Sequence, residues 1–168
     1  LNPNHRNNLN CFFLASHWKY NILGFSTLVQ SCPAFFNRYF INVIGSISDK
    51  LKIEHNSKLN NVIYHGVLEE VELIALASKC AFAINPCLDG AGANVKNADY
   101  IALGLPILTT EFGLKSYENY QDYITTKKIA DWDSFDSTDL KNIPFDIRQS
   151  ATNNFSADRF LKLIEKSH

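Results

Sequence analysis

The chain has 168 residues, of which 46% are hydrophobic and 20% charged, the balance of an ordinary soluble globular protein with sequence enough for one core and little for a second. Sixteen Lys and Arg against 17 Asp and Glu leave a net charge of −1, which excludes a strongly basic nucleic-acid binder and an acidic disordered tail. Asparagine makes up about a tenth of the chain, an excess that reads as compositional bias rather than chemistry.

The longest largely apolar stretch, 71–88, is broken by Glu72, Lys79, Asn85 and Pro86 and falls short of the roughly 20 apolar residues of a membrane span. The start, Leu1-Asn2-Pro3-Asn4-His5-Arg6, has no signal-peptide core, and Met is absent throughout; the expectation is a piece of a longer protein. Cys11, Cys32, Cys80 and Cys87 show no CxxC spacing and read as buried packing thiols of a reducing compartment.

Short apolar runs alternate with helix-period segments, the pattern of a parallel sheet flanked by helices. Cys11 to Ala15 reads as a first strand, and Ile22 to Ser31, with apolar residues at Ile22, Leu23, Phe25, Leu28 and Val29, as a helix. Phe40 to Ile44 is a second strand ended by Gly45-Ser46, and 49–61 is a short helix or a loop. Val62 to His65 is a third strand closed by Gly66, Glu69 to Ser78 a helix, and Cys80 to Ile84 a fourth strand stopped by Asn85-Pro86. Asn94 to Leu103 is a helix capped by Gly104, Ile107 to Thr110 a fifth strand, and Tyr123 to Thr125 a short sixth. The polar stretch 131–144 reads as a solvated surface segment. Ile147 to Lys166 reads as one or two terminal helices turning Phe155, Phe160, Leu161 and Ile164 inward. The fold class is α/β: a single Rossmann-like, doubly wound parallel sheet, whose ligands bind beyond the carboxyl ends of the strands.

Chemistry concentrates in the stretch NPCLDGAGANVKNADYIALGLPILTT, residues 85–110. Gly90 and Gly92 lie between a strand end and a helix start, where a glycine turn lets backbone N–H groups approach a phosphate or a sugar hydroxyl. Asn94 falls near the helix N-terminus, Lys96 on its first turn, and Asp99 three residues on, close to the same face. Lys96 suits an anionic group and Asp99 a ribose diol. The same residues serve equally as a plain turn and a solvated charge pair, and spacing alone leaves the two open.

This block, G-x-G-x-N-x-K followed by an acid and then Ala-x-Gly-x-Pro, an apolar strand and Thr-Thr, resembles the C-terminal, donor-binding domain of the retaining GT-B glycosyltransferases. Three further stretches match in order: Ala15-Ser16-His17-Trp18-Lys19-Tyr20-Asn21, Val43-Ile44-Gly45, and Asn61 through Tyr64, His65 and Gly66 to Val67. The resemblance spans about residues 11–120 and extends more weakly to 148–164. It implies binding of a nucleotide-diphosphate sugar, with Ser16 and Asn21 near the diphosphate and Lys96 stabilising the leaving diphosphate as the catalytic cation. It implies that Asp99 holds the ribose, that the loop of Gly90, Ala91, Gly92, Ala93 and Asn94 faces the sugar, and that Gly66 and Val67 flank the base. No metal or other cofactor is implied. The implied partners are the sugar donor and a missing N-terminal acceptor domain, in a bacterial, cytoplasmic enzyme of glycan biosynthesis with peripheral membrane association of the parent protein. Ala91 stands where many members carry the first of two glutamates, and Asp99 is one methylene shorter than the second.

Other residues have structural readings. Trp18 and Tyr20 suit a lid over the core or a stacking surface, Glu69-Glu70 suit the positive end of a helix, and Asp131, Asp133, Asp136 and Asp139 suit a solvated run. Three competing functions are a nucleotide-sugar epimerase using the same cleft, a degenerate non-catalytic binding module, and a flavodoxin-like regulatory domain. The last would need an acidic pocket after the first strand, where this chain has Ser16-His17-Trp18-Lys19.

Overall fold

The computed structural model describes residues 7–90 and 94–154. Its single sheet contains β1 (Asn7–Leu14), β2 (Phe40–Ile44), β3 (Val62–Gly66), β4 (Cys80–Asn85), β5 (Ile107–Thr109) and β6 (Ile124–Thr126). They lie in the order β3-β2-β1-β4-β5-β6, every pair parallel. This is the Rossmann order and not the 2-1-3-4-5 order of flavodoxin-like domains, so the flavodoxin-like alternative is excluded by topology. The helices are α1 (Lys19–Ser31), α2 (Pro33–Arg38), α3 (Ser48–His55), α4 (Glu70–Ala77), α5 (Lys96–Ala102), α6 (Glu111–Leu114) and α7 (Phe145–Asn154).

Strand alternation splits the core in two. Cys11 and Phe13 of β1 join Ile41, Val43, Phe82 and Ile84 under α1 and α2, while Phe12 turns to the opposite face with Ala83, Ile107 and the α5 residues Ala98, Tyr100 and Ile101. All four cysteines are buried free thiols. Glu72 Oε2 accepts the Glu69 N–H at 3.2 Å, so the acidic start of α4 is a cap. Gly104 closes α5 at φ +68°, where a side chain would also meet the Arg148 guanidinium.

Several elements differ from the sequence reading. The first helix begins at Lys19 rather than Ile22, because its opening turn carries polar residues that give no apolar period. A further helix, α2, follows with Pro33 in its first turn. The polar stretch 131–144 is not a solvated surface wrap. Trp132 and Phe135 are fully buried and Ile143 nearly so, because apolar residues recur at 132, 135, 140 and 143 and two short 3-10 turns, Ile129–Ser134 and Ser137–Asp139, fold the segment back on the core. Polar bonds hold the segment against α2: Asp133 Oδ1 accepts the Phe35 N–H at 2.8 Å, and the Phe135 carbonyl accepts from Arg38 Nη1 at 2.6 Å and the Tyr39 hydroxyl at 3.1 Å. The inward positions expected at Phe155, Phe160, Leu161 and Ile164 lie outside the described residues.

Trp132→Ala would empty a fully enclosed site between Phe35 and the segment's own turns. The expected loss is about 3–5 kcal/mol of unfolding free energy, read by urea denaturation.

Two histidines add a pH dependence. His55 Nε2 lies 3.0 Å from Ser26 Oγ while its Nδ1 is buried with no partner, so a protonated ring would bury an unpaired N–H. Burial pulls both His55 and His65 below the ordinary histidine value, with Glu54 partly opposing at His55. The folded state therefore binds fewer protons than the unfolded chain just below pH ~6.5, and stability present above that pH is lost as pH falls through it. The urea midpoint should drop between pH 7 and 5, and His55→Gln should flatten that drop.

Candidate functional site

In this topology β1 and β4 are neighbours whose following connections run to opposite edges of the sheet, which makes the gap beyond their carboxyl ends the switch point where such folds bind ligands. Their register ends at Phe12 and Ala83, so the backbone groups beyond lose ladder partners. Tyr100 of α5 fills the gap: its hydroxyl accepts the Leu14 N–H at 3.0 Å and lies 3.2 Å from the Leu14 carbonyl and 3.1 Å from that of Ile84, donating to one at a time. Burial pushes the Tyr100 phenol well up, so it stays a donor.

Around this gap the strand-end loops are tied in a row. Ala15 N–H donates to the Ile44 carbonyl, Gly45 N–H to the Gly66 carbonyl, and His17 N–H to Ser46 Oγ. Gly45 sits at φ +100°, and a side chain there would strike the Ala15 carbonyl. Across the gap, α1 approaches the loop after β4 so closely that a Cβ on Gly24 would overlap the Pro86 carbonyl. The Tyr20 ring lies against Gly90, whose N–H donates to Asp89 Oδ1 at 2.7 Å.

Three of the expected site residues meet directly. Lys96 Nζ donates to Asn21 Oδ1 at 2.5 Å, and Asn21 Nδ2 donates to the Ser16 carbonyl at 3.0 Å. The Lys96 ammonium also stands 5.8 Å from the centre of the Phe13 ring. Burial pushes its pKa down to about 8, against a smaller opposing effect of the Cys87 thiol, so at neutral pH it remains a cation. Asp99 is half-buried on α5. Gly66, at φ +73° with open space where a side chain would stand, and the exposed Val67 lie at the end of β3, two strands from the gap. Ala91, Gly92 and Ala93 lie outside the described residues. Trp18 is 57% exposed beside Tyr20 and is not a lid over the core.

The feature that the sequence reading missed is a layer of buried asparagines under this floor. Asn85 Nδ2 donates to Asn97 Oδ1 at 3.0 Å and faces Asn94 Oδ1 at 3.4 Å. Asn94 Nδ2 in turn donates to the Phe112 carbonyl and Asn97 Nδ2 to that of Gly113. Thr109 Oγ1 donates to the Asn85 carbonyl, and Thr110 Oγ1 bonds the Cys87 carbonyl while accepting the Gly113 N–H. Asn94 thus spends its side chain on α6. The available signal was local: an Asn closing β4, then two more spaced i, i+3 at the start of α5.

Among solved structures the chain is similar to WaaG, a glycosyltransferase involved in lipopolysaccharide biosynthesis, with 16% identity and a TM-score of 0.56 over 98% of this chain and 47% of that one. It is similar to the pneumococcal O-GlcNAc transferase GtfA in complex with UDP and GlcNAc, with 15% identity and a TM-score of 0.57 over 98% of this chain and 36% of that one. The catalytic domain of cholesterol-alpha-glucosyltransferase from Helicobacter pylori matches with 10% identity and a TM-score of 0.53 over 93% of this chain and 99% of that one. The fold is that of the C-terminal half of a GT-B glycosyltransferase. The chain spans about half the length of WaaG and about a third of GtfA. No family model matches the sequence, and no curated protein matches it. Among the described residues no helix is long and apolar enough to cross a membrane.

Asn97→Ala would strip the Gly113 carbonyl of its side-chain donor inside the GT-B half-fold and leave Asn85 Nδ2 only the 3.4 Å contact with Asn94 Oδ1. Each buried group left unpaired costs about 1–3 kcal/mol, a loss to be read as a lower urea midpoint with unchanged slope.

Proposed function

We propose that this chain is the donor-binding half of a glycosyltransferase, which takes a nucleotide-diphosphate sugar and passes the sugar to an acceptor with retention of anomeric configuration. The observation that carries the reading is a half-buried ammonium, Lys96, held by Asn21, which Ser16 anchors in turn, at the switch point of a GT-B half-fold. As the bond from the sugar's anomeric carbon to the diphosphate oxygen breaks, negative charge collects on the departing diphosphate. A cation fixed in a preformed site stabilises that charge without reorganising. In this reading Asp99 takes the ribose hydroxyls, Gly90 to Asn94 face the sugar, and Gly66 with Val67 borders the base. GtfA, of the same fold, holds UDP and GlcNAc in its complex, which favours a ligand of this class.

No metal or other cofactor takes part in the proposed reaction. The acceptor belongs to a second domain of a longer, cytoplasmic bacterial protein that associates peripherally with the membrane. The chain by itself binds donor and turns over little.

Calorimetric titration with UDP, GDP, ADP and their sugar conjugates tests the reading. One nucleotide should bind, and Lys96→Ala or Asp99→Ala should weaken it at least tenfold, about 1.4 kcal/mol. Absence of binding by every nucleotide up to millimolar concentration would count against it.

A further inference from the structure

The resemblance assigns Asn21 to the ligand, but its hydrogen bonds point elsewhere. Its backbone N–H donates to the Trp18 carbonyl at 2.9 Å in the first turn of α1. Its side-chain Nδ2 donates to the Ser16 carbonyl at 3.0 Å and faces Ser16 Oγ at 3.5 Å. A backbone carbonyl only accepts and a lysine ammonium only donates, so the amide has one possible orientation: nitrogen to Ser16, oxygen to Lys96. We infer that Asn21 is a positioning residue for Lys96, a locked neutral acceptor that holds the ammonium at the β1–β4 switch point while leaving its charge uncancelled for an incoming anion.

The choice of an amide has physical consequences on either side. A hydrocarbon at this position would leave a half-buried ammonium without its acceptor, and burial disfavours the charged form. A carboxylate would hold the proton more firmly but would pair with the ammonium and cancel the positive charge that a diphosphate needs. The groups facing Lys96 leave Asn21 in control. β1 presents the uncharged Phe13 ring and the loop after β4 the Cys87 thiol. The lowering of Lys96 to about 8 by burial brings its charge within reach of small changes in this contact.

The role deepens the donor-binding reading, and its consequence for nucleotides rests on that reading, but its core is measurable without any ligand. The experiment is a pH titration of lysine side-chain NMR signals in the ligand-free chain, with the Lys96 signal assigned by its loss in Lys96→Arg. Asn21→Leu, close in size but lacking the acceptor, should weaken proton binding by Lys96 at least tenfold. Asn21→Asp should strengthen it at least tenfold. With UDP, GDP or ADP, whichever the wild type binds, both variants should bind at least tenfold more weakly. The Asn21→Leu defect should grow as pH rises from 7 to 9.

A general structural role for Asn21 would not move the lysine in opposite directions. A Lys96 titration that stays put, or shifts the same way in both variants, overturns the inference. Should Asn21→Leu fail to fold, Asn21→Asp, which keeps the shape and an acceptor oxygen, decides alone. A wild type that binds no nucleotide counts against the proposed function and leaves the lysine titration to judge Asn21.

Discussion

The structure depends on how the backbone is satisfied where β1 and β4 part. A parallel sheet whose connections diverge from a central pair opens a gap at its carboxyl edge, and the last peptide groups of both strands face that gap without ladder partners. Buried backbone groups left bare are costly. Here the Tyr100 hydroxyl supplies what the strands cannot supply each other, and Tyr100 belongs to α5. Satisfying the backbone therefore fixes the helix that carries Lys96 and Asp99. The gap at the switch point and the means of holding its floor together are one arrangement.

The second layer of that floor is built from amides instead of ions. Asn85, Asn94 and Asn97 connect β4 and α5 to the start of α6 through hydrogen bonds that carry no net charge. Carboxylates in those places would need paired cations to be tolerated so deep, and they would lower the potential at Lys96. With neutral amides below and the neutral Asn21 beside it, Lys96 keeps its charge unpaired by the side chains that hold it. Electrostatic positioning of this kind depends on what is kept out of the crevice as much as on the cation itself.

The polar stretch after β6 shows how a composition-based reading fails. Four aspartates in nine residues suggested solvent, yet Trp132 and Phe135 fill the core between them. The acids that alternate with these aromatics make local and backbone bonds: Asp133 receives the Phe35 N–H, and Asp136 caps the following turn through Thr138. A 3-10 turn repeats every three residues, so a charged and an apolar face coexist in a segment too short for a helical period to stand out. The helix α2 escaped notice for a related reason, since six residues beginning at Pro33 hold too few turns to reveal a period.

Much of the fold was legible because burial writes itself into local pattern. Strands sealed on both faces appear as unbroken apolar runs, as in Cys11 to Leu14 and Cys80 to Ile84, and glycines mark turns that only they can take, as at Gly45 and Gly104. The sequence by itself therefore determined the strands and the parallel α/β class. Strand order was decided only in three dimensions, because the pattern of a strand does not say which neighbour it takes. The partnership of Asn21 with Lys96 and the asparagine layer were decided there too. Each is a hydrogen bond between residues that tertiary packing brings together, 75 positions apart in the first case, and the direction of an amide is set by the groups that surround it once the chain has folded.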